Sequence, residues 1–370
     1  MNAGRLLVRG AGSAGRRRGS HHRGARTTPH GRGSHSAQQL KQGSPVSRPA
    51  RGAIGIRSEL PPFYSLGNHR PKAATMTAVP RFTTDAHGGN DYSYLEHAEL
   101  GDVRWHRDFG AALTEARERN LPVFLLFQEI PGCPTCVNFG QHVLAQALMV
   151  EMIESHFVPL AIYNNRAGPD AEILRQFNEP AWNNPVVHFL SPDGESLVPK
   201  LTNRYDLISL HDKITGTLEQ AGISVPKWFT LFRGDLLIES GIAEQLRYET
   251  PCFWSGETSL AQFPGVISTD AGWVGGEEVV EIYFDPAQTS TEELNRLSLP
   301  EVFRRTDKRP FRLDDQPQFY LAKTQWRSVP MTRAQRTKIN LEVAYARDPS
   351  PYLSPRQLQA LDESMPDRRP

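Results

Sequence analysis

The sequence predicts two domains, an α/β domain followed by an α+β domain. Between residues 100 and 220, buried-strand runs such as PVFLLF alternate with helical segments, and this alternation is typical of a mixed sheet covered by helices. After residue 235 the strand and helix patterns no longer alternate regularly, which favours an α+β arrangement. The chain of 370 residues, with 38% hydrophobic and 22% charged residues, is long enough to bury two cores of ordinary size.

In the first domain, helices have apolar residues at helical spacing and strands are continuous apolar runs. Cys133-Pro134-Thr135-Cys136 is expected in a loop that enters a helix. A turn is predicted at Pro192-Asp193-Gly194, followed by a returning strand. The other predicted elements are helix 108–119, strand 122–127, helix 145–156, strand 157–164, a strand from 185 and helix 205–220.

In the second domain, 252–263 is expected to be a loop that enters a helix, and 278–284 a strand. Ser290 and Glu293 form a capping-box pattern that predicts a helix over 291–299. Helical patterns recur after Thr332 and around 357–363. The predicted boundaries are a leader at 1–90, domains at 91–225 and 226–350, and a tail at 351–370.

The leader is basic and without hydrophobic periodicity, so it is expected to be disordered. Residues 1–58 contain eleven Arg, one Lys and no acidic residue. Three interpretations remain open: an organellar transit peptide, a tail that binds polyanions, or translated upstream sequence with Met76 as the working start. The last is favoured and predicts a cytoplasmic protein. A transit peptide over 1–75 would instead direct the protein to mitochondria or plastids.

The rest of the chain is acidic, with 30 basic and 41 acidic residues, which argues against nucleic acid as a partner of the folded body. Apolar runs are far too short to span a bilayer, so no membrane partner is expected. Three cysteines do not make a disulfide framework, and two of them are spaced C-x-x-C. This usage indicates redox chemistry in a reducing compartment.

The C-x-x-C pair at a helix start indicates a reactive dithiol. The free N–H groups at the helix start stabilise a thiolate on Cys133, and Cys136, one turn further, is close enough to form a disulfide with it. The alternative is half of a zinc site, which needs two more ligands. His142 and His156 are available but are not spaced as a pair. The strand before the motif and the helix after it favour redox chemistry, and no metal is predicted.

Residues 100–222 resemble the thioredoxin fold. The resemblance rests on Trp105, the helix at 108–119, the strand before the cysteine pair, and Asn184-Pro185-Val186 before a strand. In that fold a cis-proline faces the C-x-x-C, and Pro185 matches it by position. The residues between the cysteines differ from the family's usual Gly-Pro.

Cys252 alone reads as a buried structural thiol, because free cysteine is among the most buried residue types. Its surroundings, 252–286, resemble peptide methionine sulfoxide reductases of the A class. The matching positions are Cys252-Phe253-Trp254, Glu257, Pro264-Gly265-Val266, Gly272-Trp273-Val274-Gly275-Gly276, Glu278, Asp285-Pro286 and, later, 324-TQWRS-328. The resemblance spans roughly 240–345 and implies a ferredoxin-like, split-βαβ fold.

The resemblance also implies residue roles. Cys252 is the expected nucleophile on the sulfoxide, and Glu278 the acid that protonates the departing oxygen. Phe253 and Trp254 are expected to hold the substrate methyl group. Trp273, Trp326 and Glu257 are expected to assist substrate binding, although Glu257 also fits a structural role.

The sequence departs from the family pattern at several positions. Pro251 and Ser255 replace the signature glycines, and the segment 276–278 is shortened, so that a tyrosine of the family is missing. Trp326 stands where the family has a second tyrosine, and Leu321 where it has an aspartate. These changes predict a slower reaction or a different substrate.

The departures also point to a source of the resolving thiol. The second domain has no other cysteine, so Cys133 and Cys136 are the expected partners that resolve an oxidised Cys252. This hypothesis needs no cofactor, only an external thiol reductant protein such as a thioredoxin system, and free or peptide methionine sulfoxide as substrate. The alternatives are a disulfide oxidoreductase that acts on another oxidised sulfur compound, and a second domain that only binds peptides.

Overall fold

The computed structural model describes residues 97–364, all of which belong to one compact unit. The leader at 1–90 and Met76, for which disorder and an alternative start are predicted, lie outside the described residues. So do residues 365–370 of the predicted tail. Within 97–364, no helix is both long enough and apolar enough to cross a membrane.

The first half contains five helices and three strands. Each predicted helix and the strands over 122–127, 157–164 and from 185 are confirmed, with bounds shifted by a few residues. Helix α4 was not predicted from the sequence, because it is short and largely polar and only its Asp170 and Leu174 are buried. The elements are α1 Phe109–Arg119, β1 Val123–Gln128, α2 Pro134–His142, α3 Ala147–His156, β2 Val158–Tyr163, α4 Pro169–Gln176, β3 Val186–Leu190 and α5 Leu207–Gln220.

The three strands form a mixed sheet in the order β2-β1-β3. Strand β1 is central, parallel to β2 and antiparallel to β3, and every residue of the three strands is buried. The sheet is extended by isolated bridges, from His106 to β2 and from Ser196 and Leu201 to β3. The predicted returning strand after 194 is therefore reduced to these bridges. Apolar cores on both faces of β1 hold the sheet against its helices.

Helix α6, Lys227–Glu239, follows the predicted boundary at 225 but packs on the core of the first half. Its buried aromatic residues Trp228, Phe229 and Phe232 belong to that core. Residues 221–240 are not assigned to an element from the sequence. Hydrophobic side chains lie on all sides of this helix, so it has little of the amphipathic pattern by which a helix is predicted.

The second half has a five-stranded sheet in the order β7-β4-β6-β5-β8, in which every neighbouring pair is antiparallel. Strands β4 and β5 therefore run in the same direction with β6 between them. The strand predicted over 278–284 and the helices after Cys252, Ser290 and Thr332 and around 357–363 are confirmed. The elements are β4 Glu244–Glu249, α7 Phe253–Leu260, β5 Val266–Val274, β6 Glu277–Phe284, α8 Thr291–Ser298, β7 Arg304–Arg305, β8 Arg312–Leu313, α9 Phe319–Ala322, α10 Arg333–Ala344 and α11 Pro355–Ser364.

The two halves are joined by helix α6 and by the end of the chain. The Asp235 carboxylate on α6 accepts a hydrogen bond of 2.9 Å from the Ala334 N–H at the start of α10. Near the end of the chain, Arg356 pairs with Glu154 of α3 at 2.5 Å and donates its backbone N–H to Glu151 at 2.7 Å. The domain boundary predicted between residues 225 and 226 stays a prediction. The packing of α6 on the first core and the contacts of Arg356 with Glu151 and Glu154 cross it.

Candidate functional site

The cysteine pair lies where strand β1 leads into helix α2. Cys133 is the N-cap of α2, Pro134 is its first residue, and the sulfurs of Cys133 and Cys136 are 3.7 Å apart. Gly132 allows this close approach, because a Cβ there would lie 2.4 Å from the Glu129 carbonyl oxygen and 2.6 Å from the Cys136 Cβ. The geometry lets one small rotation of a side chain bring the sulfurs within bonding distance.

The two thiols differ in acidity. A hydrogen bond from the backbone N–H of Cys136 lowers the pKa of Cys133 below its usual value, and contacts with the Cys136 and Thr135 side chains add to this effect. Burial raises the pKa of Cys136 to about 12. Cys133 is half-buried, whereas Cys136 is completely buried. Cys133 is therefore the more accessible and the more acidic of the two thiols, and Cys136 is the thiol that holds its proton more strongly.

Asn184 holds the buried thiol from the opposite side. The Cys136 thiol donates to Asn184 Oδ1 at 2.7 Å, and Asn184 Nδ2 donates to the carbonyl of Ala181 at 3.2 Å. The peptide bond between Asn184 and Pro185 is cis. The loop before β3 thus contacts the cysteine pair through Asn184. The sequence analysis missed this residue, although its position directly before Pro185 was a usable signal.

Selective alkylation follows from this difference between the thiols. In native, fully reduced protein we expect iodoacetamide to modify Cys133 at least ~100-fold faster than Cys136, because the thiolate is the nucleophile and Cys136 is both protonated and enclosed. The rate at Cys133 should rise with pH to a midpoint below the ordinary thiol value. Peptide mass spectrometry of timed samples measures both rates. Equal rates in the native protein would contradict the assignment, and equal rates in urea serve as the control.

Cys252 lies between strand β4 and helix α7, as the N-cap of that helix. The Thr250 N–H donates to the carbonyl of Glu278 on β6 at 3.0 Å, which holds the segment against the sheet. The carboxylate of Glu278 accepts the N–H of Phe253 at 2.8 Å. Because Phe253 is the next residue after Cys252, the Glu278 carboxylate and the half-buried Cys252 both lie at the start of helix α7.

Four aromatic side chains pack together in two pairs near the start of helix α7. Phe253 meets Trp273 edge-on, with ring centroids 5.0 Å apart, and Trp254 stacks on Phe319 with centroids 4.0 Å apart. The Trp273 indole N–H donates to Asp314 at 3.0 Å. The Trp254 N–H is buried near the same carboxylate but makes no hydrogen bond of normal geometry. Phe319 and Asp314 are neighbours of the site that the sequence did not single out.

Glu257 lies underneath the helix that follows Cys252. Its carboxylate accepts N–H bonds from Ala271 on β5 at 2.9 Å and from Gln318 at 3.1 Å, and it is fully buried. Burial raises the pKa of Glu257 to about 8. These contacts give Glu257 a structural role, tying α7 to β5 and to the segment before α9.

Trp326 is not placed with these aromatic residues. It packs with Leu321 against an apolar cluster that also contains Val329, Ile339, Leu353 and Leu361, whereas Phe253, Trp254 and Trp273 belong to the core around β4, β5 and β6. Strands β5 and β6 are joined by Gly275 and Gly276, both at positive φ, in a two-residue hairpin. This tight turn is the shortened segment of the sequence, and it leaves no loop to supply another side chain.

The three cysteines are all free thiols. Helix α2, which carries Cys136, packs on the turn at Ala98–Leu100, and helix α7, which follows Cys252, packs on β5, β6 and α10. The cysteine pair and Cys252 thus lie at the starts of two different helices, each packed mainly against different elements.

Comparison with known families assigns part of the chain. A family model described as thioredoxin-like matches residues 104–192, which include α1 through β3 and the cysteine pair. Residues 104–192 form a thioredoxin-like domain. The chain is also similar to a solved thioredoxin from Thermus thermophilus, at 20% identity and a TM-score of 0.29, covering 32% of this chain and 90% of that one.

The chain also has partial similarity to reductases of another family. A peptide methionine sulfoxide reductase MsrA from Thermoactinomyces vulgaris is 38% identical over 12% of this chain and 49% of its own length. The MsrA of Geobacter metallireducens is 32% identical over 15% of this chain and 44% of its own length. The chain thus spans less than half the length of these curated relatives.

Proposed function

We propose that this protein is a thiol-dependent oxidoreductase that reduces methionine sulfoxide, free or in peptides, at Cys252. The observation that carries the proposal is the contact of Glu278 with the Phe253 N–H, which places an acid beside a half-buried thiol at a helix start. A nearby carboxyl group is what the departing oxygen requires.

The first step is an oxygen transfer to Cys252. The Cys252 sulfur attacks the sulfoxide sulfur, which forms a transient S–S bond, while the Glu278 carboxyl group gives its proton to the sulfoxide oxygen. The resulting hydroxyl group moves from the substrate sulfur to the Cys252 sulfur as the S–O and S–S bonds break, and the proton released from the Cys252 thiol passes to Glu278. The net change converts one sulfoxide and one thiol into one thioether and one cysteine sulfenic acid. Glu278 recovers its proton in the same turnover. Phe253, Trp254 and Trp273 provide the apolar surface for the substrate methyl group.

The second stage transfers the oxidation to the cysteine pair. The Cys133 thiolate attacks the sulfenic sulfur of Cys252, which forms a mixed disulfide and releases water. Cys136 then attacks Cys133, closes the 133–136 disulfide and returns Cys252 as a thiol. An external dithiol reductant regenerates the pair. This stage requires the sulfurs of Cys133 and Cys252 to meet, either within one chain or between two copies of it.

The strand order of the second half supports the fold that the sequence resemblance implies. Strands β4 and β5 are parallel with β6 inserted between them, α7 connects β4 to β5, and β7 pairs with the outer side of β4. This is the βαββαβ order of a ferredoxin-like, split-βαβ domain. In this arrangement Cys252 follows the first strand, and Glu278 lies on the third.

A single-turnover assay tests the activity. Fully reduced full-length protein, freed of reductant, is mixed with methionine S-sulfoxide, and the methionine formed per chain is quantified. Up to two equivalents are expected with sulfoxide in excess, because the cysteine pair returns Cys252 as a thiol once and that thiol can then reduce one more sulfoxide. No methionine, with all three thiols still free, would overturn the proposal.

Glu278→Gln is expected to lower the single-turnover rate by about 10²–10⁴-fold, the usual size of a general-acid contribution. The glutamine amide oxygen keeps the Phe253 hydrogen bond, so alkylation of Cys252 should change less than a few-fold. Glu277→Gln is the matched control, because Glu277 is exposed on the same strand and should leave the rate unchanged. Equal rates for the two variants would remove Glu278 from the mechanism.

A second candidate function is favoured by the placement of Trp326 and Leu321 in a separate apolar cluster. The Cys252 region would then bind peptides without chemistry, and the protein would act as a disulfide oxidoreductase through Cys133 and Cys136. Reduction of a protein disulfide that persists in Cys252→Ser, together with no methionine in the single turnover, would select this function.

A further inference from the structure

We propose that the reduced cysteine pair and Glu129 form a binding site for a thiophilic divalent cation, with Zn²⁺ as the fitting ion. The Glu129 carboxylate oxygen and the sulfurs of Cys133 and Cys136 lie within 4.8 Å of one another. Two thiolates and a carboxylate are a donor set that zinc accepts. The site uses the same pair that would resolve Cys252 in the proposed function, but metal binding to it does not require the sulfoxide chemistry at Cys252.

The distance between the sulfurs fits a tetrahedral metal. With zinc–sulfur bonds of about 2.3 Å, the edge between two sulfur ligands is roughly 3.8 Å. The observed separation of Cys133 Sγ and Cys136 Sγ is 3.7 Å, so both sulfurs can ligate one ion without movement of the backbone. In contrast, a disulfide needs the same atoms at about 2 Å.

Glu129 is free to serve as the third ligand. Within residues 97–364 its carboxylate has neither an ion-pair nor a hydrogen-bond partner, and the residue is half-buried beside the pair. To bind an ion held by the two sulfurs, the Glu129 side chain would rotate so that its carboxylate oxygen comes closer to them than it lies now, within 4.8 Å. Strand β1 ends one residue earlier, so the backbone that carries Glu129 is anchored by the sheet.

The fourth position of the ion would be open. Cys133 is half-exposed, and Asn184 Oδ1, 2.7 Å from Cys136 Sγ, borders the position from the other side. Water or a substrate group can occupy that place, as at zinc sites with three protein ligands. His142 and His156 do not join this cluster, and His156 instead contacts Ser155 at 2.9 Å.

The site exists only in one redox state. A sulfur that is bonded to another sulfur is no longer a thiolate ligand, so the disulfide form loses two of the three ligands. A bound cation in turn occupies the two sulfurs that the cysteine pair needs for disulfide exchange. Zn²⁺ would therefore hold the pair reduced and block it until a chelator or a competing thiol removes the ion.

Cobalt spectroscopy tests the site. Reduced full-length protein is titrated with Co²⁺ in the absence of air, and then with Zn²⁺. We expect thiolate-to-cobalt charge-transfer bands and the visible bands of tetrahedral Co²⁺, at a ratio of one ion per chain, which Zn²⁺ abolishes. Protein with the 133–136 disulfide should show neither. Octahedral or weak spectra in the reduced wild type would overturn the proposal.

Three variants locate the ligands. Cys133→Ser should remove the thiolate bands, and Glu129→Gln should weaken Zn²⁺ binding by about 10- to 100-fold in a competition with a chromophoric chelator. Cys252→Ser should bind as the wild type does. Unchanged affinity in Glu129→Gln, with its circular dichroism spectrum also unchanged, would exclude the carboxylate ligand. Loss of binding in Cys252→Ser would place the metal elsewhere.

Discussion

Cys252→Ser should abolish methionine formation in the single-turnover assay, with a loss of at least about 10³-fold toward the uncatalysed rate. Serine is the smallest change that removes the thiolate, and its hydroxyl is a poor nucleophile near neutral pH. Cys252 occupies the N-cap position of α7, but its side chain makes no capping hydrogen bond, so the fold should tolerate the change. Methionine formed per chain is the measurement, and an unchanged yield would end the assignment of Cys252 as nucleophile.

Variants of the cysteine pair separate the first step from the second. Cys133→Ser should still form about one equivalent of methionine, but Cys252 should remain as a sulfenic acid that dimedone labels. Cys136→Ser should trap the mixed disulfide between Cys133 and Cys252, which mass spectrometry of non-reduced peptides detects. Absence of that bridged peptide would show that another thiol resolves Cys252.

Mixing two inactive variants shows whether the relay runs within one chain. Cys252→Ser lacks the nucleophile and Cys133→Ser lacks the resolving thiol, so neither turns over repeatedly with an external dithiol reductant specific for the pair. If the relay is intramolecular, the mixture stays inactive, and the turnover rate per chain of the wild type does not depend on protein concentration. If Cys133 of one chain resolves Cys252 of another, the mixture regains turnover, and the turnover rate per chain of the wild type rises with protein concentration.

Much of the framework was predictable because it depends on local patterns. The apolar run of β1, the helix start at Cys133 and the N-cap at Ser290 are each set by a few neighbouring residues, and each is found where the sequence predicts it. Strands β4 and β5 were missed for physical reasons. β4 carries charged residues at both ends, and β5 buries Ser268, Thr269 and Asp270 in place of alternating apolar residues.

The contacts around the thiols depend on tertiary structure and were not predictable in the same way. Asn184 reaches Cys136 from 48 positions away, and Phe319 stacks on Trp254 from a segment that the sequence pattern leaves without a strong signal. Trp326 was expected near the substrate because of its place in a motif. Trp326 packs against the apolar cluster that contains Leu321, Ile339 and Leu361, a contact that no local pattern reveals, and its part in substrate binding stays a prediction.

Glu257→Ala is expected to lower the free energy of unfolding by about 3–6 kcal/mol, the largest stability effect we predict for a single substitution. The change leaves the N–H groups of Ala271, Gln318 and Phe319 buried without their shared acceptor, and each such loss costs roughly 1–3 kcal/mol. Urea unfolding followed by tryptophan fluorescence measures the change. Glu277→Ala, at an exposed position of β6, is the control and should stay within about 0.5 kcal/mol of the wild type.

The pH dependence distinguishes lost hydrogen bonds from a lost charge. Burial raises the pKa of Glu257 from 4.5 to about 8, so the protonated carboxyl group favours the folded state below pH 4.5 and this contribution disappears as the pH rises through 8. Glu257→Gln cannot ionise. The stability of the wild type relative to Glu257→Gln should therefore fall by a few kcal/mol between pH 5 and pH 9, in parallel urea titrations, since other groups cancel in the comparison. A constant difference across that range would show that Glu257 is ionised in the folded protein at all these pH values and that its three N–H donors outweigh the cost of burial.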